Sequence, residues 1–141
     1  DLTPEMVEKA KKTIDEMGII NIDIVVGSSE IIPYPNESFD CVISNGVLNL
    51  SPLKDKTYSE IFRVLKKGGR LQFADIVLKD TLPPEITENV EAWSNWIGGA
   101  IPGRDLVENL KKTGFQEVEF IDDTGVSTSK YTKGSLFRAV K

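Results

Sequence analysis

Three short polar stretches in this sequence each follow an apolar run: Gly27-Ser28-Ser29-Glu30 after "NIDIVV", Ser44-Asn45-Gly46-Val47 after "DCVI", and Asp75 inside "QFADIV". A glycine lets the backbone turn tightly, and the hydroxyls of Ser28 and Ser29 can offer hydrogen bonds to a planar heterocycle. Asp1 stands just before an amphipathic stretch, where its carboxylate can accept hydrogen bonds from the vicinal hydroxyls of a ribose. The chain has no histidine, which removes Ser/His and Cys/His nucleophile pairs and the usual proton shuttle. Its one cysteine, Cys41, excludes an internal disulfide and leaves no cysteine cluster for zinc, so no metal site is expected. Lying inside an apolar strand, Cys41 is expected to be a core residue.

These residues need a scaffold, and the pattern supplies one. Thr3 can cap a helix with Pro4 and Glu5 in its first turn, an apolar face of Met6, Val7, Ala10, Ile14 and Met17, and a stop at Gly18. Ile22 to Val26 reads as a short strand, followed by a loop broken by Pro33 and Pro35. Asp40 to Ser44 reads as a second, buried strand. Lys54 to Lys66 has helical spacing at Tyr58, Ile61, Phe62 and Leu65, and Lys66-Lys67-Gly68-Gly69 supplies cations and glycines for its end. Arg70 to Val77 is a further strand. Beyond Pro83-Pro84, a helical stripe of Ile86, Val90, Trp93 and Ile97 runs to Gly98-Gly99, and a helix from Arg104 to Thr113 stops at Gly114. "FQEVEFID" and "SLFRAVK" are the last strands. Such alternation predicts a three-layer α/β sheet, parallel over most of its width, with ligands beyond the carboxyl ends of its strands. Asp75, at such an end, reads on its own as facing solvent.

Composition narrows the function classes. The 141 residues suit one domain, with 40% hydrophobic and 28% charged residues, as in a globular protein. No apolar run reaches the roughly 20 residues of a spanning helix, and the first residues lack a secretory pattern, so a cytoplasmic protein without a membrane partner is expected. A net charge of -5 with scattered Lys and Arg gives no nucleic-acid footprint.

Four segments, in order and spacing, carry a family resemblance: "DLTPEMVEKAKK", "GSSEIIPYPNESFDCVISNGVLNLSP", "EIFRVLKKGGRLQFADIV" and "ENLKKTGFQEVE". Together they resemble the class I S-adenosylmethionine-dependent methyltransferases over nearly the whole chain. "VISNGVLNLSP" followed by "FRVLKKGGRL" looks most like the arsenite methyltransferase branch, with quinone-biosynthesis C-methyltransferases more distant. The resemblance implies a Rossmann-like three-layer sandwich, S-adenosylmethionine as cofactor and a small-molecule acceptor. It matches Asp1 to the ribose-binding acid and Leu2 to the apolar neighbour of the adenine. Ser28 and Ser29 match the residues at the adenine edge, where Ser28 replaces what is often an acid. Asn45 matches the residue whose carbonyl meets the methionine ammonium group, with Gly46 and Val47 beside it. Val47 and Leu50 are expected to wall the pocket.

The chain departs from the family in two ways. The family's glycine-rich loop should precede Asp1 by about 20 residues, so 1–141 is expected to be the carboxyl-terminal portion of one methyltransferase domain, lacking the first strand and most of the second. It is then incomplete or inactive alone. In the family's strand order, 3-2-1-4-5-7-6, the missing strands lie between Ile22–Val26 and Asp40–Ser44. Those two strands are expected to pair with each other, or a homo-oligomer to form by strand exchange, because open central edges are costly. The second departure is at the arsenic-binding cysteines, which the resemblance places at Gly46 and within Ser94-Asn95-Trp96. None is cysteine here, and arsenic(III) prefers sulfur. Trp93 and Trp96 can instead face an organic acceptor, although Trp93 also continues a core stripe. Methyl transfer is a direct displacement that alignment and desolvation can drive. If the acceptor needs a base, Asp75, Glu91 and Tyr34 are candidates. A non-catalytic nucleotide-binding or regulatory relative of the same fold, or another nucleotide-binding class such as a dehydrogenase, remains open at this point.

Overall fold

The computed structural model describes residues 1–79 and 99–141. Helix α1 spans Pro4–Glu16 and strand β1 spans Phe39–Asn45, followed by a short 3-10 turn at Leu48–Leu50. Helix α2 (Lys54–Val64) leads straight into strand β2 (Leu65–Leu78), and helix α3 (Gly103–Thr113) precedes strands β3 (Gln116–Asp123) and β4 (Thr132–Val140). The sheet order is β1-β2-β4-β3. β1 runs parallel to β2, whereas β2–β4 and β4–β3 are antiparallel. The expectation of a sheet parallel over most of its width is therefore corrected for the described residues. The two last strands come from consecutive sequence and meet as a hairpin, which needs antiparallel pairing.

The core lies on the face of β2 and β4 covered by α2 and α3. Leu71, Phe73 and Val77 alternate along β2 and meet Tyr58 and Ile61 from α2, Leu106 and Leu110 from α3, and Phe137 from β4. Phe73 stacks on Phe137 with ring centroids 5.3 Å apart. Helix α3 ends as the sequence predicts, with Gly114 in the left-handed region at φ 114°.

Several expectations fail for identifiable reasons. Ile22 to Val26 forms no strand, and both Ile22 and Val26 are half exposed. Its ordered pairing is one parallel rung with Asp1: Asp1 N donates to Val25 O at 3.3 Å and Gly27 N to Asp1 O at 2.9 Å. It does not pair with β1, whose outer edge is unpaired among the described residues. β1 is accordingly not a buried strand. Ile43 is 80% exposed and Cys41 is exposed, because the face they share is uncovered by the described residues. α2 stops at Val64 instead of Lys66, since Leu65 is already extended. Lys66 pairs with Asp40 on β1 at 2.9 Å, and Gly68 adopts φ 73° within the irregular start of β2. Along α1, Val7 is buried while Met6 and Met17 are exposed. Thr3 occupies the cap position of α1 without a side-chain bond; Asp1 Oδ1 instead accepts from Thr3 N at 2.8 Å.

Candidate functional site

Three segments far apart in sequence line one cleft of about 590 Å³: Asp1 to Thr3, the loop from Val25 to Tyr34, and the turn from Val47 to Pro52. The loop is held by α2. Arg63 donates to the carbonyls of Ile32 (2.9 Å) and Tyr34 (2.8 Å) and to Asn36 Oδ1 (3.0 Å). Glu60 accepts from Ile32 N at 2.8 Å and pairs with Arg63 at 2.7 Å. A planar guanidinium with several fixed donors suits this task, since Pro33 and Pro35 supply no N–H groups and the loop cannot hold itself by a regular backbone ladder.

Ser28, Ser29 and Glu30 form a polar network with Ser51 and Thr57. Glu30 accepts from Ser28 Oγ and, at 2.5 Å, from Ser51 Oγ. Thr57 Oγ1 donates to Ser51 Oγ at 2.9 Å and lies 3.3 Å from Ser29 Oγ. Ser51 and Thr57 are buried. The hydroxyl donors Ser28 and Ser51 hold the Glu30 carboxyl below its ordinary value, outweighing its partial burial, so it is ionised at neutral pH. Asp1 lines the same cleft, and Leu2, Val47 and Leu50 contribute exposed apolar surface to it.

The Leu48–Leu50 turn sits on a buried charge. Asp75 is 3% exposed because it continues the core-facing alternation of Leu71 and Phe73, which corrects the solvent-facing reading. Its Oδ2 accepts from Asn49 N at 3.0 Å and its Oδ1 from Ile76 N at 2.8 Å. Lys54 Nζ donates to the carbonyls of Asn49 and Ser51, both at 3.0 Å. Burial pushes the Asp75 carboxyl up and the Lys54 ammonium down, and each charge partly counters the other's shift. An acid spent on backbone amides is poorly placed as a general base. Tyr34 lines the cleft, but its hydroxyl donates to Asp23 at 3.1 Å and is pushed up from its ordinary value, first by that bond.

The structure thus brings Asp1, Leu2, Ser28, Ser29, Val47 and Leu50 to one cleft. Asn45 and Gly46 line a separate, smaller hollow of about 230 Å³ with Asp75, Thr124 and Val126. Trp93, Trp96 and Glu91 lie outside the described residues, as does the predicted helix after Pro83-Pro84. Among the described residues, no cluster of three or more His, Cys, Asp or Glu side chains could hold a metal ion, and no helix is long and apolar enough to cross a membrane. Sequence reasoning missed Glu30, Ser51 and Thr57 as parts of the site. Glu30 follows Ser28 and Ser29 directly, but nothing in the sequence announces that Ser51 and Thr57 converge on it.

The model of the methyltransferase domain family matches residues 1–125. The chain belongs to that family. Its relatives place it near the arsenite methyltransferases: the one from Halobacterium salinarum is 33% identical over 119 residues, covering 84% of this chain and 30% of that protein. The chain therefore spans under a third of that relative's length. The arsenic(III) S-adenosylmethionine methyltransferase of Chlamydomonas reinhardtii superimposes with a TM-score of 0.76 at 26% identity, over 99% of this chain and 52% of that one. The Haemonchus contortus phosphoethanolamine N-methyltransferase 2 complex with S-adenosyl-L-methionine gives a TM-score of 0.83 at 19% identity, over 100% of this chain and 42% of that one. This last likeness concerns the fold alone, the Rossmann-like α/β fold of class I methyltransferases. The methyl donor of this methyltransferase family is S-adenosylmethionine. The polar and apolar groups lining the cleft fit such a molecule: a carboxylate for vicinal hydroxyls, apolar side chains for a ring, and serine hydroxyls for a heterocycle edge.

Proposed function

We propose that the cleft binds the nucleoside part of S-adenosylmethionine, and that this methyltransferase acts in the cytoplasm on a small organic acceptor. The convergence of Asp1, Leu2, Ser28, Ser29, Val47 and Leu50 on one cleft carries this reading. Asp1 accepts from the ribose hydroxyls, Leu2 and Val47 flank the adenine, and Ser28 and Ser29 meet its edge. Asn45 and Gly46, at the carboxyl end of β1, face the methionine end. The cofactor, when bound, supplies an activated methyl group on a sulfonium leaving group. The chain's own part is to orient and desolvate it.

An organic acceptor is favoured over arsenite by the placement of sulfur. Cys41 lies four residues before Asn45 on an extended strand, roughly 13 Å from its carboxyl end at about 3.3 Å per residue, and Gly46 stands where the family resemblance expects a cysteine. The uncovered edge of β1, with Ile43 exposed, suits strand pairing between two copies. Sedimentation equilibrium checks that assembly, and a strictly monomeric protein at high concentration refutes it.

Calorimetric titration with S-adenosylmethionine and with S-adenosylhomocysteine tests the main reading. Asp1→Asn is expected to weaken binding about 10-fold or more, as for a lost charge-assisted hydrogen-bond pair. No heat and no thermal shift with either ligand rejects the assignment.

A further inference from the structure

The geometry points to Glu30 as the residue that sets base specificity, by orienting the hydroxyls of Ser28 and Ser29 so that they present only lone pairs to the cleft. This rests on the cofactor reading above and adds to it a residue and a selectivity.

The orientation follows from counting hydrogens. A hydroxyl has one hydrogen and two lone pairs, and an ionised carboxylate only accepts. Ser51 Oγ gives its hydrogen to Glu30 and accepts from Thr57 Oγ1 and from Leu53 N at 3.1 Å, so its capacity is full. Thr57 has then spent its hydrogen on Ser51, and in its contact with Ser29 the donor must be Ser29. Ser28 gives its hydrogen to the other Glu30 oxygen and accepts from Glu30 N at 3.1 Å. One lone pair on Ser28 and two on Ser29 are left over, and no hydroxyl hydrogen. All four hydroxyls of this network direct their hydrogens toward the Glu30 carboxylate, and such networks reinforce their own polarity.

Both serines line the cleft, so their side chains present acceptors to it. It suits a heterocycle edge that donates, such as the exocyclic amino group of adenine. A 6-oxo purine would put a carbonyl oxygen against the same lone pairs, and a site built for a donor rejects the analogue lacking it. Glu30 thereby does through Ser28 what an acid at position 28 would do directly. Replacing Glu30 by Gln keeps the shape but adds donor hydrogens, which releases the hydrogen of Ser28 to turn toward the cleft.

Isothermal titration with S-adenosylhomocysteine and its deaminated analogue S-inosylhomocysteine tests this on the wild-type protein and on Glu30→Gln. The wild type is expected to favour the adenosyl compound about 10-fold or more, and Glu30→Gln to shrink that ratio at least about 5-fold. If Glu30→Gln fails to fold, Ser28→Ala is read in its place and should lower the same ratio. Equal binding of the two ligands by the wild type, or a ratio unchanged within about 2-fold in a folded variant, overturns the inference while leaving the cofactor reading intact. Binding of neither ligand overturns both. A purely structural role for Glu30 would weaken both ligands alike and leave the ratio unmoved.

Discussion

Replacing Asp75 should show how much of the cleft depends on one buried carboxylate. Asp75→Ala removes the acceptor for Asn49 N and Ile76 N and the counter-charge facing the half-buried Lys54. Two hydrogen bonds to a charged acceptor are worth about 3–6 kcal/mol together. The desolvation that raises the Asp75 carboxyl is relieved at the same time, so the net loss should be about 2–4 kcal/mol. Asp75→Asn keeps one acceptor oxygen and should cost less, about 1–2 kcal/mol. Urea unfolding followed by circular dichroism reads this directly, because 2–4 kcal/mol at a slope of about 2 kcal/mol/M moves the midpoint by about 1–2 M. The pH dependence carries a sign. A carboxyl raised in the folded state binds protons more readily there than when unfolded. Its contribution to stability therefore increases as pH falls from that raised value toward the ordinary carboxylate range. The difference between wild type and Asp75→Asn should shift in the wild type's favour over that window. An Asp75→Ala variant within about 0.5 kcal/mol of wild type, or an Asn variant costing more than Ala, would refute the reasoning.

Three further outcomes are expected. Arg63→Ala should open the loop from Ile32 to Asn36 to proteolysis, read as faster limited cleavage than in the wild type; Arg63→Lys should not restore protection, because a point charge cannot reproduce the fork. Gly46→Ala should cost about 1 kcal/mol through its left-handed φ of 67° alone, since nothing lies within 4 Å of the added carbon; a neutral effect in urea unfolding contradicts this. Cys41, being exposed, should be labelled by a maleimide in the native state, and arsenite should form no specific complex; stoichiometric arsenite binding that alkylation of Cys41 blocks would reverse that assignment.

Much of the fold was legible because it rests on local signals. The 3.6-residue spacing of Leu106 and Leu110 with a glycine stop gave α3 to within one residue, and the apolar run before Asn45-Gly46 gave β1. Signals that depend on a neighbour misled. Ile22 to Val26 has the composition of a strand, but a strand needs a partner ladder, and one rung to Asp1 does not make one. Cys41 and Ile43 have core composition, yet they lie on a face that the described residues leave uncovered. The polar half of the site divided in the same way. Ser28 and Ser29 were found because a glycine and small hydroxyls follow an apolar run, whereas the role of Glu30 emerges only once Ser51, 21 residues away, bonds to it and Thr57 joins through Ser51.

The sequence by itself determined the helices and strands that carry strong local periodicity, the absence of imidazole chemistry and the family, since these follow from residue type and spacing along the chain. Tertiary structure alone decided which residues share a cleft, that Asp75 is buried beneath the Leu48–Leu50 turn, and that four hydroxyls direct their hydrogens toward one carboxylate. Desolvation and hydrogen-bond direction belong to a group's surroundings in space, and a linear pattern does not encode them.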